Sequence, residues 1–155
     1  MGYAIVSKSV KNNLTTNYEF IRMYENQHKI KKDIIYPQEV FEIVGMAYDV
    51  WNKVGFGHKE IFYEKAFAEI FRKKNKKFKE QLRCKIKLGD KDLGMYIFDF
   101  VYEEMIVVEL KQGENFSKQN INQIYAYLKA TGLKLGLLIN FTRTGVKFKR
   151  IVNIK

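Results

Sequence analysis

The sequence predicts an α/β fold in which a three-stranded antiparallel meander is flanked by helices. Three observations carry this. Apolar residues recur at three- and four-residue spacing from Pro37 to Lys74, at two-residue spacing from Phe78 to Lys111, and at helical spacing again over 118–131, before two more strands. No repeat, linker or low-complexity tract divides residues 37–155, which are read as one domain behind an N-terminal extension, residues 1–36.

Within the extension, weak periodicity allows one short helix around Tyr18 to Gln27. Pro37, the only proline, suits the first position of a helix, where its missing N–H is not needed. Phe41, Val44, Tyr48 and Trp51 continue that helix until Gly55 and Gly57 interrupt it. A second helix is expected from His58 to about Lys74, with Ile61, Phe62, Ala66, Phe67, Ile70 and Phe71 as a broad apolar face. From Phe78 the period becomes two: Phe78, Leu82, Cys84, Ile86 and Leu88 share one face, and Lys79, Gln81, Arg83, Lys85 and Lys87 the other. Gly89–Lys91 is a turn, Leu93–Val101 a second strand, Glu103-Glu104 another turn and Met105–Lys111 a third strand. Ser117 suits an N-cap and Gly132 a left-handed terminus for a helix over Lys118–Thr131. Lys134–Phe141 is almost continuously apolar, as a strand covered on both faces should be, and Val146–Ile154 is the last strand.

Composition narrows the chemistry. A chain of 155 residues with 46% hydrophobic residues buries roughly 70% of its unfolded surface, which argues against disorder across the whole chain. A single cysteine, Cys84, excludes an internal disulfide, and with only His28 and His58 beside it zinc has too few ligands. Any metal must be held by oxygen. No apolar run reaches the roughly eighteen residues of a membrane span, and residues 1–13 lack the pattern of a secretory signal, so a cytoplasmic protein is expected. The formal charge is +11, from 28 Lys and Arg against 17 Asp and Glu, and it is uneven. Residues 1–54 carry 7 basic and 6 acidic side chains, whereas residues 55–155 carry 21 and 11. The densest stretch, Arg72–Lys87, holds nine basic residues and Glu80 as its one acid. Such a concentration suggests a polyphosphate partner such as nucleic acid; the plainer reading is a solvated lysine-rich surface.

Two carboxylates stand where carboxylates are costly. The strand Met105–Lys111 ends in Glu109-Leu110-Lys111, and Asp99 lies inside the apolar run Tyr96–Val101, one hairpin away. A buried unpaired charge costs several kcal/mol, and two carboxylates side by side repel unless a cation lies between them. A hard divalent metal answers this; a Glu-to-Lys pair at a strand end is the bland alternative for Glu109 and Lys111. Register decides. A two-residue turn at Glu103-Glu104 would set Asp99 opposite Val108, on the wrong face from Glu109, whereas an odd loop or a bulge restores the pairing. One of the latter is expected.

Asp99 followed ten residues on by Glu109-x-Lys111 resembles the PD-(D/E)XK nuclease signature. Gly57-His58-Lys59-Glu60-Ile61-Phe62-Tyr63 matches the G-x-x-E-x-x-Y motif of a family of small proteins assigned to that superfamily. The stretches Gln123–Gly132 and Leu135–Phe141 are also similar to that family, so the resemblance covers about residues 40–152. Trp51 stands where the family is expected to carry histidine.

The resemblance implies a restriction-endonuclease-like core with a mixed sheet, and a metal-dependent nuclease, DNA more than RNA. In it Asp99, Glu109 and the Leu110 carbonyl hold Mg²⁺ or Mn²⁺, and Glu60 reaches the same centre; on spacing alone Glu60 is equally a first-turn glutamate favoured by the helix dipole. Lys111 holds the attacking water or offsets charge on the phosphate. Gln123 and Tyr127, four apart on one helix face, resemble the Q-x-x-x-Y element of RecB-type nucleases, in which the glutamine orders the site and the tyrosine faces nucleic acid. By residue type alone Tyr127 is a core aromatic, and so is Tyr63. Lys79, Arg83, Lys85 and Lys87 are the phosphate-tracking candidates. The alternative function is a non-catalytic nucleic-acid-binding module on the same fold, within a defence or repair assembly. A homodimer is expected only by analogy.

Overall fold

The computed structural model describes residues 35–154; the expected helix over Tyr18–Gln27, and with it nearly all of the extension, lies outside them. The described elements are α1 (Pro37–Val54), α2 (Glu60–Lys73), β1 (Phe78–Leu88), β2 (Lys91–Tyr102), β3 (Ile106–Gln112), α3 (Lys118–Thr131), β4 (Leu135–Thr142) and β5 (Gly145–Val152). The strands form one five-stranded sheet in the order β1-β2-β3-β4-β5. All neighbours are antiparallel except β3 and β4, which are parallel and joined through α3, the crossover that a parallel pair requires. Helices α1 and α2 pack on one face of the sheet and α3 on the other. Strand β4 is accordingly buried at every position. No helix among the described residues is long and apolar enough to cross a membrane.

Helix α2 begins at Glu60 rather than His58, because Gly57 takes a φ of 99° and Lys59 is extended, which holds His58 outside the helix. Its buried stripe is also narrower than expected. Tyr63, Phe67 and Phe71 are fully buried at four-residue spacing, while Ile61 and Phe62 are 45% and 50% exposed. Aromatic packing carries this layer: Tyr63 stacks on Phe141 at 4.1 Å and Phe71 meets Phe100 edge-on at 5.3 Å. Helix α1 is fastened to the last hairpin by Trp51, whose indole N–H donates to the Thr142 carbonyl at 2.8 Å, and by the Tyr48 hydroxyl, which donates to the Val146 carbonyl at 3.0 Å.

On the opposite face, the Ser117 hydroxyl accepts from the Asn120 N–H and Gly132, at φ 75°, ends α3. This helix lies very close to the sheet. A Cβ on Gly136 would stand 2.3 Å from Ile124 Cγ2. Gly136→Ala is therefore expected to cost about 1–3 kcal/mol in urea denaturation; a loss below about 0.5 kcal/mol would show that α3 lifts freely.

The turn between β2 and β3 sets the register of the site. Three residues, Glu103 to Met105, separate the paired Tyr102 and Ile106. Glu103 and Glu104 both take positive φ, 49° and 56°, and the Met105 N–H donates to the Tyr102 carbonyl at 2.9 Å, so Met105 is the additional residue beyond a tight turn. The pairing Phe100↔Val108 then brings Asp99 level with Glu109. The odd loop holds, not the two-residue hairpin.

Beyond Phe100 and Val108 the β2–β3 ladder stops. Phe98 packs in the α3-side cluster and Phe100 in the opposite one, although strict alternation would put both on one face. Strand β2 therefore turns over at Asp99. Gln81, in the part of β1 that runs beside it, adopts a φ of 49°.

Candidate active site

The site is the fork where β2 and β3 part. A parting pair of strands leaves backbone donors without ladder partners, and here two carboxylates take them. Glu109 Oε2 accepts from the Asp99 N–H at 3.2 Å, and Asp99 Oδ2 accepts from the Leu110 N–H at 2.7 Å. Both acids are buried, each 7% exposed. Lys111, two residues beyond Glu109 and so on the same side of the strand, brings its Nζ to 3.1 Å from Glu109 Oε1 and 3.2 Å from Glu60 Oε2. The other Glu60 oxygen accepts a long bond, 3.4 Å, from the Gln112 N–H. Glu60 is held there by the start of α2. The Tyr63 hydroxyl donates to the Gly55 carbonyl at 2.8 Å and accepts from the His58 N–H at 3.4 Å, closing the loop that leads into the helix.

Burial, followed by the charge of Glu109, raises the Asp99 pKa to about 8. Burial also raises that of Glu109, only partly offset by the charge and hydrogen bond of Lys111. Burial alone would lower the Lys111 pKa, but Glu109 and Glu60 outweigh it and push it up to about 12. Lys111 is therefore a fixed positive charge at physiological pH.

These shifts give a sign for stability. Asp99 has a folded pKa of about 8 against an ordinary 3.8; between those values the folded chain keeps a proton that the unfolded chain has lost. Its contribution is full at the acid end and is lost as pH rises toward about 8. The metal-free protein is thus expected to melt about 5 °C or more lower at pH 8.5 than at pH 5.5, with Asp99→Asn removing most of the difference. A melting temperature that rises over this interval, in the protein with Asp99 intact, would contradict the assignment.

The structure brings together Asp99, Glu109, Leu110, Lys111 and Glu60, but not as expected in one respect. Among the described residues no group of three or more His, Cys, Asp or Glu is placed to hold a metal ion. The Glu60 carboxylate pairs with the Lys111 ammonium, which pairs with Glu109 as well. Gln123 is half-buried and makes no side-chain hydrogen bond among the described residues. Tyr127 packs against Phe98 at 4.7 Å, 8% exposed, in the α3-side core; the overturned strand gives it an aromatic partner. Lys79, Arg83, Lys85 and Lys87 are all exposed on β1, with Lys79 3.8 Å from Glu104 and Lys85 3.7 Å from Asp92.

Two residues were not foreseen. Gln81 Nε2 donates to Glu64 Oε2 at 2.7 Å, and both line a cavity of about 550 Å³ between α2 and the β1–β2 hairpin whose wall includes Asp99. Glu64 had a signal in the sequence, one helical turn past Glu60. Gln81 had none, because a left-handed conformation at a glutamine inside a strand leaves no mark in residue type.

A meander followed by a parallel crossover, with acids and a lysine at the strand fork, is the architecture of a nuclease-type α/β domain. The family model of the PD-(D/E)XK nuclease superfamily matches residues 37–151, and the chain belongs to that superfamily. Among solved structures it is similar to the crystal structure of SSO0001, with 15% identity and a TM-score of 0.46 over 90% of this chain and 78% of that one. No curated relative matches.

Proposed function

We propose that this domain is a metal-dependent nuclease that hydrolyses phosphodiester bonds, in DNA more than in RNA, and that it belongs to the GxxExxY branch of the superfamily. The observation that carries this reading is the convergence of Asp99, Glu109 and Lys111 at one strand fork. The donor set fits a hard divalent ion. Glu109 and Glu60 share one ammonium, that of Lys111, and Asp99 lies beside Glu109 without an ion pair among the described residues; every side-chain donor of the acids is oxygen. Asp99, Glu109 and the Leu110 carbonyl would hold Mg²⁺ or Mn²⁺, which supplies positive charge at the phosphate and makes water more acidic.

The remaining work falls to the chain. Asp99 has to give up its proton to act as a ligand. Lys111, charged throughout the working pH range, offsets charge that develops on the phosphate or holds the attacking water. Glu60 holds Lys111 in place. The motif thereby acquires a physical account: Gly57 supplies the positive φ of the turn, Glu60 steadies the lysine, and Tyr63 anchors the loop on Phe141.

Incubation with single- and double-stranded DNA in Mg²⁺, Mn²⁺ or EDTA tests the reading, with Asp99→Ala, Glu109→Ala and Lys111→Ala alongside. Metal-dependent cleavage lost in all three variants is the expected result. Cleavage that survives all three overturns it, and salt-sensitive binding without cleavage in either metal favours the non-catalytic module.

A further inference from the structure

We infer that the β1–β2 hairpin is a groove-reading arm, so that the substrate of the proposed nuclease site is duplex DNA; this rests on the nuclease reading for the word substrate, and on the hairpin itself for the rest. Strand β3 pairs with β2 only over Phe100–Tyr102. From Leu82 and Phe98 outward the hairpin is a two-stranded ribbon with no third strand on either edge among the described residues. Its two faces differ. Leu82, Cys84 and Tyr96 are half-buried against the α3-side core. The other face is exposed and carries Arg83, Lys85 and Lys87 along β1, with Ile97 and Met95 directly across from Arg83 and Lys85. Ile97 is 46% exposed and Met95 45%. Among the described residues Arg83 and Lys87 make no ion pair, and Asp92, the cross-strand neighbour of Lys87, pairs with Lys85 in solvent, a pairing of little strength in water.

Three features select the ligand. A row of cations beside a row of aliphatic side chains matches a groove, where phosphates flank base edges and thymine methyls. Arg83 to Lys87 spans about 13 Å at the usual rise of a strand, and the major groove of B-DNA, about 12 Å wide, admits a two-stranded ribbon. The register shift between Ile86 and Lys87 adds a bulge near the tip, which increases the twist of the ribbon. Unpaired strands bind by stacking on aromatic rings, and Tyr96 and Phe98, the ribbon's aromatic residues in this stretch, are both on the inner face. The major groove of an RNA duplex is too narrow to enter. The base of the ribbon leads to the chemistry: Gln81 shares its cavity with Asp99.

The test is binding in EDTA, where no cleavage is expected, of the full chain to one 20-base-pair duplex DNA, its single strand and the RNA duplex of the same sequence. Duplex DNA should bind at least about tenfold more tightly than either. The triple variant Arg83→Ala/Lys85→Ala/Lys87→Ala should lose about tenfold or more, and flatten the salt dependence by about three phosphate contacts. A control of equal charge, Lys53→Ala/Lys129→Ala/Lys134→Ala, should lose less than about threefold. Met95→Ser/Ile97→Ser should weaken duplex binding without changing the salt slope. Equal affinity for the three nucleic acids, or equal losses in the two triple variants, overturns the inference. So does a dimer that Met95→Ser/Ile97→Ser converts to monomer, since the face would then be an interface between copies. Duplex binding through the ribbon with no cleavage in any metal would remove the nuclease reading and leave the ribbon standing.

Discussion

Asp99→Asn is expected to lower metal-dependent DNA hydrolysis on the order of 1,000-fold while raising the melting temperature of the metal-free protein at pH 8.5. The two effects have one cause. Asparagine keeps an oxygen that accepts from the Leu110 N–H, which Asp99 Oδ2 now does at 2.7 Å, so the fork stays closed. It removes a charge that burial and Glu109 make costly, and with it an anionic oxygen that the ion needs. DNA affinity in EDTA should change by less than about threefold, because the contacts to phosphate are cationic. Lys111→Met should abolish hydrolysis to a similar degree, yet with the opposite effect on stability, since Glu109 and Glu60 both lose their counter-ion. A gain of stability in both variants, or more than a tenth of the hydrolysis left in either, would be incompatible with the roles assigned to them.

Tyr63→Ala is expected to cost about 3–5 kcal/mol in denaturant unfolding, as for other large buried aromatics. Its ring is fully buried and stacked on Phe141 at 4.1 Å, in the middle of the layer between α2 and the sheet. Tyr63→Phe separates the ring from the hydroxyl. It removes the 2.8 Å bond to the Gly55 carbonyl, worth about 1 kcal/mol, and loosens the loop that presents Glu60. In the Phe variant hydrolysis should fall severalfold with substrate affinity unchanged, because what moves is the steadiness of Lys111. Equal stability of the Phe and Ala variants would mean that stacking is not what the motif tyrosine provides.

The elements were legible in the sequence wherever one local signal governs. Ser117 and Gly132 bound α3 where residue type put its ends, and the apolar run of β4 is buried throughout. Placing Asp99 beside Glu109 was legible because only an odd loop allows it, and Met105 is the odd residue. Strand faces were less legible. Reading strand faces assumes alternation, and β2 turns over at Asp99; this moves Phe98 to the far side and draws Tyr127 into packing with it. The surroundings of Glu60 were not legible because a carboxylate near a fork can meet a metal or an ammonium, and sequence spacing is the same for both. In the structure the Glu60 carboxylate meets the Lys111 ammonium at 3.2 Å.

The order of the sheet follows the order of the chain, so each strand made by a ribosome finds its neighbour already synthesised. Helix α1 does not share that advantage. Its anchors, the carbonyls of Thr142 and Val146, are 91 and 98 residues downstream of Trp51 and Tyr48, and its apolar stripe of Val40, Ile43, Val44, Ala47 and Val50 is completed only with them. The first of these helices to emerge can meet α2 early, but its seat is complete only when the last hairpin has been made.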